Sequence, residues 1–219
     1  MCGRYGFSIK DEREVLERFD IEKINFELRN SYNVAPTQEM PIVERHSPNS
    51  LNLRKWGIFP SFMNGGMLIN AQAEKLAISG VWKKAFIENR CIVPATFFYE
   101  WKKLSDGKQP YLIKPKYQKL FGFAGIIVKY HDKEKKEKEG YIIITTTPNS
   151  LMKEIHNRMP VILRKEDEDE WLNPDNVEPE KLLKLLTPYP ASEMEAYPIS
   201  TLVNTPKNNF PEIIKPLNL

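Results

Sequence analysis

Cysteine and histidine are scarce in this 219-residue chain, which has two of the first and three of the second. Two cysteines cannot build a disulfide scaffold. Cys2, Cys91, His46, His131 and His156 also show none of the paired spacings of a zinc or iron–sulfur site, so no metal and no other cofactor is expected. Long apolar runs are missing too: no stretch approaches the roughly 18 residues of a membrane span, and the start lacks a basic segment followed by an apolar run. No lipobox precedes Cys2. A dominant charge of one sign is absent, because 32 basic against 29 acidic residues leave a net +3, which permits contact with an anion without demanding it. The expectation is a cytoplasmic protein with no membrane partner, whose two cysteines stay thiols in a reducing compartment.

What remains is ordinary globular composition, 41% hydrophobic and 28% charged, with no internal repeat and no composition break. One domain over 1–219 is expected. Gly3–Phe7 reads as a strand, and Ser8 with Asp11 three residues on reads as a capping box opening a helix through about Phe19. Residues 22–38 read as irregular. Pro41–Arg45 and Leu51–Trp56 read as a hairpin across Ser47–Ser50, Ala71–Leu76 as a helical turn, and the spacing of Val81, Trp82, Ala85 and Phe86 as a helix. Then come β-rich runs at Cys91–Val93, Phe97–Trp101, Tyr111–Lys114, Leu120–Lys129 and Tyr141–Thr147. The charge-alternating stretch Lys129–Glu139 reads as a solvated hairpin tip. Helices return at Ser150–Ile155, Lys165–Leu172 and Pro179–Leu186, before a proline-rich tail from Pro188. The fold class is α+β: a mainly antiparallel β-sheet or barrel-like core with short flanking helices.

A cysteine at position 2 changes character once the initiator methionine is removed, which its small size favours. It then offers a 1,2-aminothiol, with an amine of unperturbed pKa about 7.7–8.0 and a thiol of about 8.5. The amine can condense with an aldehyde to a Schiff base, and the thiol can close on the imine carbon to give a thiazolidine. The same terminus can instead attack an amide, as N-terminal nucleophile hydrolases do. Position alone favours the ordinary reading, a small residue opening a strand. Glu100, set among Phe97, Phe98, Tyr99 and Trp101, either faces solvent by strand alternation or is buried with a raised pKa suited to general acid/base work. His156 reads as a loop histidine beside Arg158. Asn70 reads as a cap for the Ala71 turn. Trp56 and Trp101 read as core, and Arg4, Lys102 and Arg158 as phosphate contacts or surface ion pairs.

Taken together, Met1–Tyr5, Tyr32–Thr37, Lys55–Ser61, Ile69–Glu74, Arg90–Ala95 with Phe98–Trp101, and Ile155–Val161 resemble, in order, the sequence blocks of the SOS response-associated peptidase (SRAP) family. Val203-Asn204 resembles a further block. The resemblance implies a β-rich single domain that binds abasic sites in single-stranded DNA and becomes covalently attached to them. It implies catalytic roles for Cys2, Asn70, Glu100 and His156: Cys2 forms the thiazolidine, Glu100 moves protons, Asn70 orients the terminus, and His156 stabilises the opened sugar or its phosphate. It implies DNA contacts by Arg4 and Arg158 to phosphate and by Pro36 and Phe62 as an apolar wedge. For these last two, a loop bend and a core ring are the plainer readings.

The chain departs from the family pattern where Gln72 replaces the usual arginine after Asn70-Ala71. Phe62 replaces a usual tryptophan, and Thr96-Phe97 replaces Asp-Gly. DNA binding weaker than that of a typical member, with a shallow salt dependence, is the expectation. The competing readings are an N-terminal cysteine peptidase or amidase, and a non-catalytic reader of single-stranded or modified DNA. The expected assembly is a monomer.

Overall fold

The structure is a computed structural model that describes residues 2–46 and 48–217. Apolar residues alternate or run unbroken through most of the chain's strands, and the strands sort into two sheets that are open at their edges. In chain order the elements are β1 (Tyr5–Phe7), α1 (Arg13–Phe19), β2 (Ser31–Val34), β3 (Glu39–Arg45), β4 (Asn49–Lys55), β5 (Asn70–Gln72), α2 (Lys83–Glu88), β6 (Arg90–Ala95), β7 (Phe97–Leu104), β8 (Gly107–Pro115) and β9 (Phe121–His131). They continue as β10 (Glu137–Thr146), α3 (Ser150–Lys153), β11 (Met159–Pro160), α4 (Lys165–Leu172), α5 (Pro179–Lys184) and β12 (Met194–Pro198). One sheet has the order β12-β8-β7-β1-β2; the other runs β11-β10-β9-β6-β3-β4, with β5 also paired to β10. Pairing between strands is antiparallel throughout except for β5 with β10.

The chain steps from one sheet to the other at Thr96, between β6 and β7. Its hydroxyl donates to Gly6 O at 3.2 Å and accepts from Ser8 N at 3.2 Å. The neighbouring Phe97 ring covers Gly6 so closely that a Cβ there would lie 2.0 Å from it. Thr96-Phe97 is thus accommodated by a glycine opposite, and it leaves the β1–β7 pairing intact.

Local departures from the sequence expectations have identifiable causes. The helix begins at Arg13 without a box at Ser8, because Ile9 is pinned in both directions to Asn30: Ile9 N donates to Oδ1 at 2.8 Å and Nδ2 donates to Ile9 O at 2.9 Å. The Ala71 turn is instead strand β5 followed by a 3-10 turn at Ala73–Lys75, since β10 offers an edge for parallel pairing. Asn49 and Ser50 belong to β4, opposite Arg45 and Glu44, so the β3–β4 connection is tighter than expected. β2 and β12 lie in segments read as irregular or tail. The Lys129–Glu139 run is a hairpin tip, where Asp132 Oδ1 accepts from Glu134 N and Lys136 N.

Helices α2 and α4 are joined to the second sheet through one buried side chain. The Arg90 guanidinium donates to the carbonyls of Trp171 (2.7 Å), Phe86 (3.0 Å), Asn173 (2.6 Å), Asn176 (3.0 Å) and Ile87. The first three and Ile87 lie at the ends of α2 and α4, where no intrahelical donor serves them, and Asn176 lies in the loop beyond α4. Arg90→Ala is expected to lower stability by about 3 kcal/mol or more, read by urea denaturation, because it orphans several buried acceptors at once.

Candidate active site

Cys2 lies three residues before β1, its side chain fully buried in the main apolar cluster. Its thiol donates weakly to Arg4 O, with sulfur and oxygen 3.7 Å apart. Tyr5 and Tyr141 join their hydroxyls at 2.7 Å in the same cluster. Trp56 stacks on Tyr141 with 8° between the planes and meets the Tyr5 ring edge-on at 5.2 Å. Burial pushes the Cys2 thiol well above its ordinary pKa, and the Glu100 carboxylate nearby pushes it the same way. Met1, whose removal would expose the amine of Cys2, lies outside the described residues.

Glu100 comes to this place through sheet register. Tyr5 pairs with Phe98, and Tyr99 N donates to Arg4 O at 3.0 Å, so continuing along β7 brings Glu100 beside the Cys2 end of β1. Of the two orientations that alternation left open, the inward one is realised, at 3% exposure. Burial raises its pKa, and the electrostatic field of His156 works in the opposite direction. Glu100 thus acts electrostatically on Cys2 and is acted on by His156, across three separate segments.

Asn70 opens β5, buried, with Nδ2 donating to Ile143 O at 3.3 Å. It caps no helix. Its Oδ1 is buried without a hydrogen-bond partner among the described residues, an acceptor that costs free energy unless something occupies it. Trp56 fixes the preceding residue, its indole N–H donating to Ile69 O at 3.0 Å, and Ile143 N donates to the same oxygen at 3.2 Å. His156 Nδ1 accepts the Arg158 N–H over 3.1 Å in the tautomer whose proton is on Nε2. The Arg158 carbonyl is 3.2 Å from the same nitrogen and accepts from it in the other tautomer.

Arg158 is 12% exposed and grips Glu74 with both terminal nitrogens, at 2.6 and 2.9 Å, while Nη2 also donates to Thr145 O at 2.7 Å. Burial, the largest single influence, would raise the Glu74 pKa; the Arg158 hydrogen bond, a backbone hydrogen bond and the charges of Arg158 and Lys75 together outweigh it and hold the carboxyl below its usual range. Gln72 stands next to this pair, half-buried at the end of β5 opposite Thr145.

The SRAP family model, described as SOS response associated peptidase, matches residues 1–206. The chain belongs to the SRAP family. It is 46% identical to the abasic site processing protein YoqW of Bacillus subtilis, over 98% of this chain and 99% of that one. It is 31% identical to the Escherichia coli abasic site processing protein YedK, over 99% and 100%. A crystal structure of a Bacteroides thetaiotaomicron protein superimposes with a TM-score of 0.86 at 28% identity, covering 99% of this chain and all of that one.

The remaining SRAP blocks occupy definite places. Arg4 spends Nη1 internally, on Asn33 Oδ1 at 2.7 Å and Val203 O at 2.8 Å, and its guanidinium lies 5.9 Å from the Trp101 ring centre. Asn33, fully buried, donates onward to the carbonyls of Val203, Thr205 and Asn208. Asn204 accepts from Trp101 Nε1 at 2.7 Å, so the Val203-Asn204 block closes the chain's end onto the strand that carries Glu100. Pro36 is half-buried where the loop bends, followed by Thr37 at φ 79°. Phe62 is no core ring: it stands 63% exposed on a 3-10 turn at Ser61–Met63. Sequence reasoning missed the Tyr5–Tyr141 pair and the Glu74 partner of Arg158, although Tyr5 and Glu74 both lie inside the matching blocks. No helix among the described residues is long and apolar enough to cross a membrane. Among the same residues no group of three or more His, Cys, Asp or Glu is arranged to hold a metal ion.

Proposed function

We propose that this SRAP protein binds abasic sites in single-stranded DNA and, once Met1 is removed, joins itself to them through Cys2 as a thiazolidine. The observation that carries the reading is the meeting of a buried thiol and a buried carboxyl whose pKa burial raises, near the start of the chain, with His156 acting electrostatically on that carboxyl. The α-amine of Cys2 adds to C1′ of the opened deoxyribose to give a carbinolamine. The protonated Glu100 carboxyl then gives its proton to the departing hydroxyl, which leaves as water and yields the iminium. The Glu100 carboxylate takes the Cys2 thiol proton, and sulfur closes on C1′. One water is lost, the carboxyl is restored, and nothing is oxidised or reduced.

Burial makes a free thiolate costly at Cys2, which disfavours attack on a neutral amide and favours attack on a cationic iminium. Asn70 Oδ1 is the acceptor for the nitrogen of the terminus or of the new ring. His156 serves the opened sugar's oxygen or phosphate. Arg4 and Arg158 add positive potential for the backbone while keeping their internal partners, and exposed Phe62 with Pro36 wedges beside the lesion. Stacking of this kind contributes about 1–3 kcal/mol per base regardless of sequence.

The test is denaturing electrophoresis with two single-stranded oligonucleotides that differ only at the lesion, one an abasic deoxyribose and the other its tetrahydrofuran analogue, which has no aldehyde. An adduct with the first alone is expected; an adduct with both, or with neither, refutes the chemistry. Gln72→Arg is expected to restore a phosphate contact. It should steepen the log–log salt dependence of binding to the tetrahydrofuran strand by about 0.7, the contribution of one neutralised phosphate on a single strand.

A further inference from the structure

Two hairpins carry lysine-rich tips, and only one of them interleaves its lysines with a matching number of acids. At the β9–β10 tip Lys133, Lys135, Lys136 and Lys138 alternate with Asp132, Glu134, Glu137 and Glu139, and Lys136 pairs with Glu134 at 2.6 Å. The β7–β8 hairpin is different. Between Trp101 and Pro110 it holds Lys102, Lys103 and Lys108 against a single acid, Asp106, and none of the three lysines is within ion-pair distance of a carboxylate among the described residues. Lys103 and Lys108 are exposed and stand directly opposite each other in the ladder. Like charges placed across a strand pair destabilise it, so this arrangement costs the fold something unless an anion sits on it.

The hairpin is also continuous with the site. β7 carries Glu100; Lys102 follows two residues later on the same face of the strand, and Lys103 with its partner Lys108 lies on the other face, beyond Trp101. Trp101, between them, is fixed from the other side by Arg4 and Asn204. We infer that the β7–β8 hairpin is a cationic arm that holds the phosphates of a single DNA strand on one side of the lesion. The inference rests on the DNA-binding reading above and adds a surface and a polarity to it. A flexible polyanion suits the arm because two opposed ammonium groups can each take a separate phosphate without base contacts, which gives affinity free of sequence preference.

The experiment uses the full chain with Lys103→Gln/Lys108→Gln, and as a charge-matched control Lys133→Gln/Lys138→Gln in the other tip. Binding to tetrahydrofuran strands is measured across a salt series. The arm variant is expected to bind more weakly, with a salt slope shallower by about 1.4, that is about 0.7 for each of two phosphates. Its melting temperature should be unchanged or higher because a like-charge pair is gone, and its adduct rate at saturating DNA should match the parent's. Trimming the strand on the side that meets the arm should erase the difference between variant and parent, and trimming the opposite side should preserve it. Equal affinity and slope in arm variant and parent, or an equal loss in the control, overturns the arm. If the parent forms no adduct yet shows the arm-dependent salt slope, the covalent reading fails and the arm stands; if the parent binds no DNA, both fall.

Discussion

Cys2→Ala is expected to abolish the adduct that survives denaturation, while the protein stays folded and keeps its affinity for single-stranded DNA. The substitution removes one buried sulfur and leaves a small apolar side chain, a change in the range of about 1 kcal/mol of stability. Alanine at position 2 still offers an α-amine after Met1 removal, so the imine can form but cannot close. Borohydride added before denaturation should therefore trap a product with the variant, whereas without reductant only the parent shows one. A non-catalytic reader predicts the same behaviour from variant and parent in both conditions. Denaturing electrophoresis with and without reductant separates these outcomes, and thermal melting verifies that the variant is folded.

Glu100→Gln is expected to slow adduct formation by about 10²- to 10⁴-fold, the usual worth of a positioned proton donor and acceptor. Its effect on stability should have the opposite sign. Burial raises the Glu100 pKa above the ordinary carboxylate value of about 4.3. Between that value and the raised one the folded protein keeps a proton that the unfolded chain has released, so parent stability falls as pH rises through this window. Below the window the carboxyl is protonated in both states and the penalty vanishes. Glutamine carries no such dependence. The melting temperature of Glu100→Gln relative to the parent should therefore climb as pH is raised from about 4 and then level off above the folded-state pKa. A parallel pH profile for the two proteins would mean that Glu100 is not held in its protonated form. A variant that is less active and more stable at neutral pH is the signature of a group kept for chemistry at the fold's expense.

The strands rich in β-branched and aromatic residues were legible because their patterns are local: β6, β7, β9 and β10 are continuous apolar runs, and α4 spans the residues its composition indicated. β5 was not, because Asn70–Gln72 is extended only by virtue of the β10 edge beside it. β12 was hidden by prolines, which an edge strand tolerates where it needs no ladder donor; Pro198 pairs opposite Tyr111 in that way. The expected choice between sheet and barrel resolves to two sheets with free edges, a matter of strand order that periodicity does not encode.

Of the candidate site, position alone singled out Cys2, and the burial of Glu100 was half-legible, since alternation allowed either face. The site's supports were not legible, because their partners are remote in sequence. Tyr5 finds Tyr141, Arg158 finds Glu74, and Arg4 finds Asn33 and Val203, each pairing made only when the sheets assemble. The block resemblance marked several of these residues without saying what they touch. Structure supplies that: Asn33 and Val203 anchor Arg4, and Trp56 holds the backbone on which Asn70 sits.

The most direct measurement is intact mass of the mature protein after incubation with a single-stranded oligonucleotide bearing one abasic site, without reductant and under denaturing conditions. The account predicts a chain lacking Met1 and a product whose mass is protein plus DNA minus one water, with Cys2 no longer reactive toward a thiol-alkylating reagent. A mature Cys2 terminus that yields no such product, or a product in which the Cys2 thiol remains free, would contradict it.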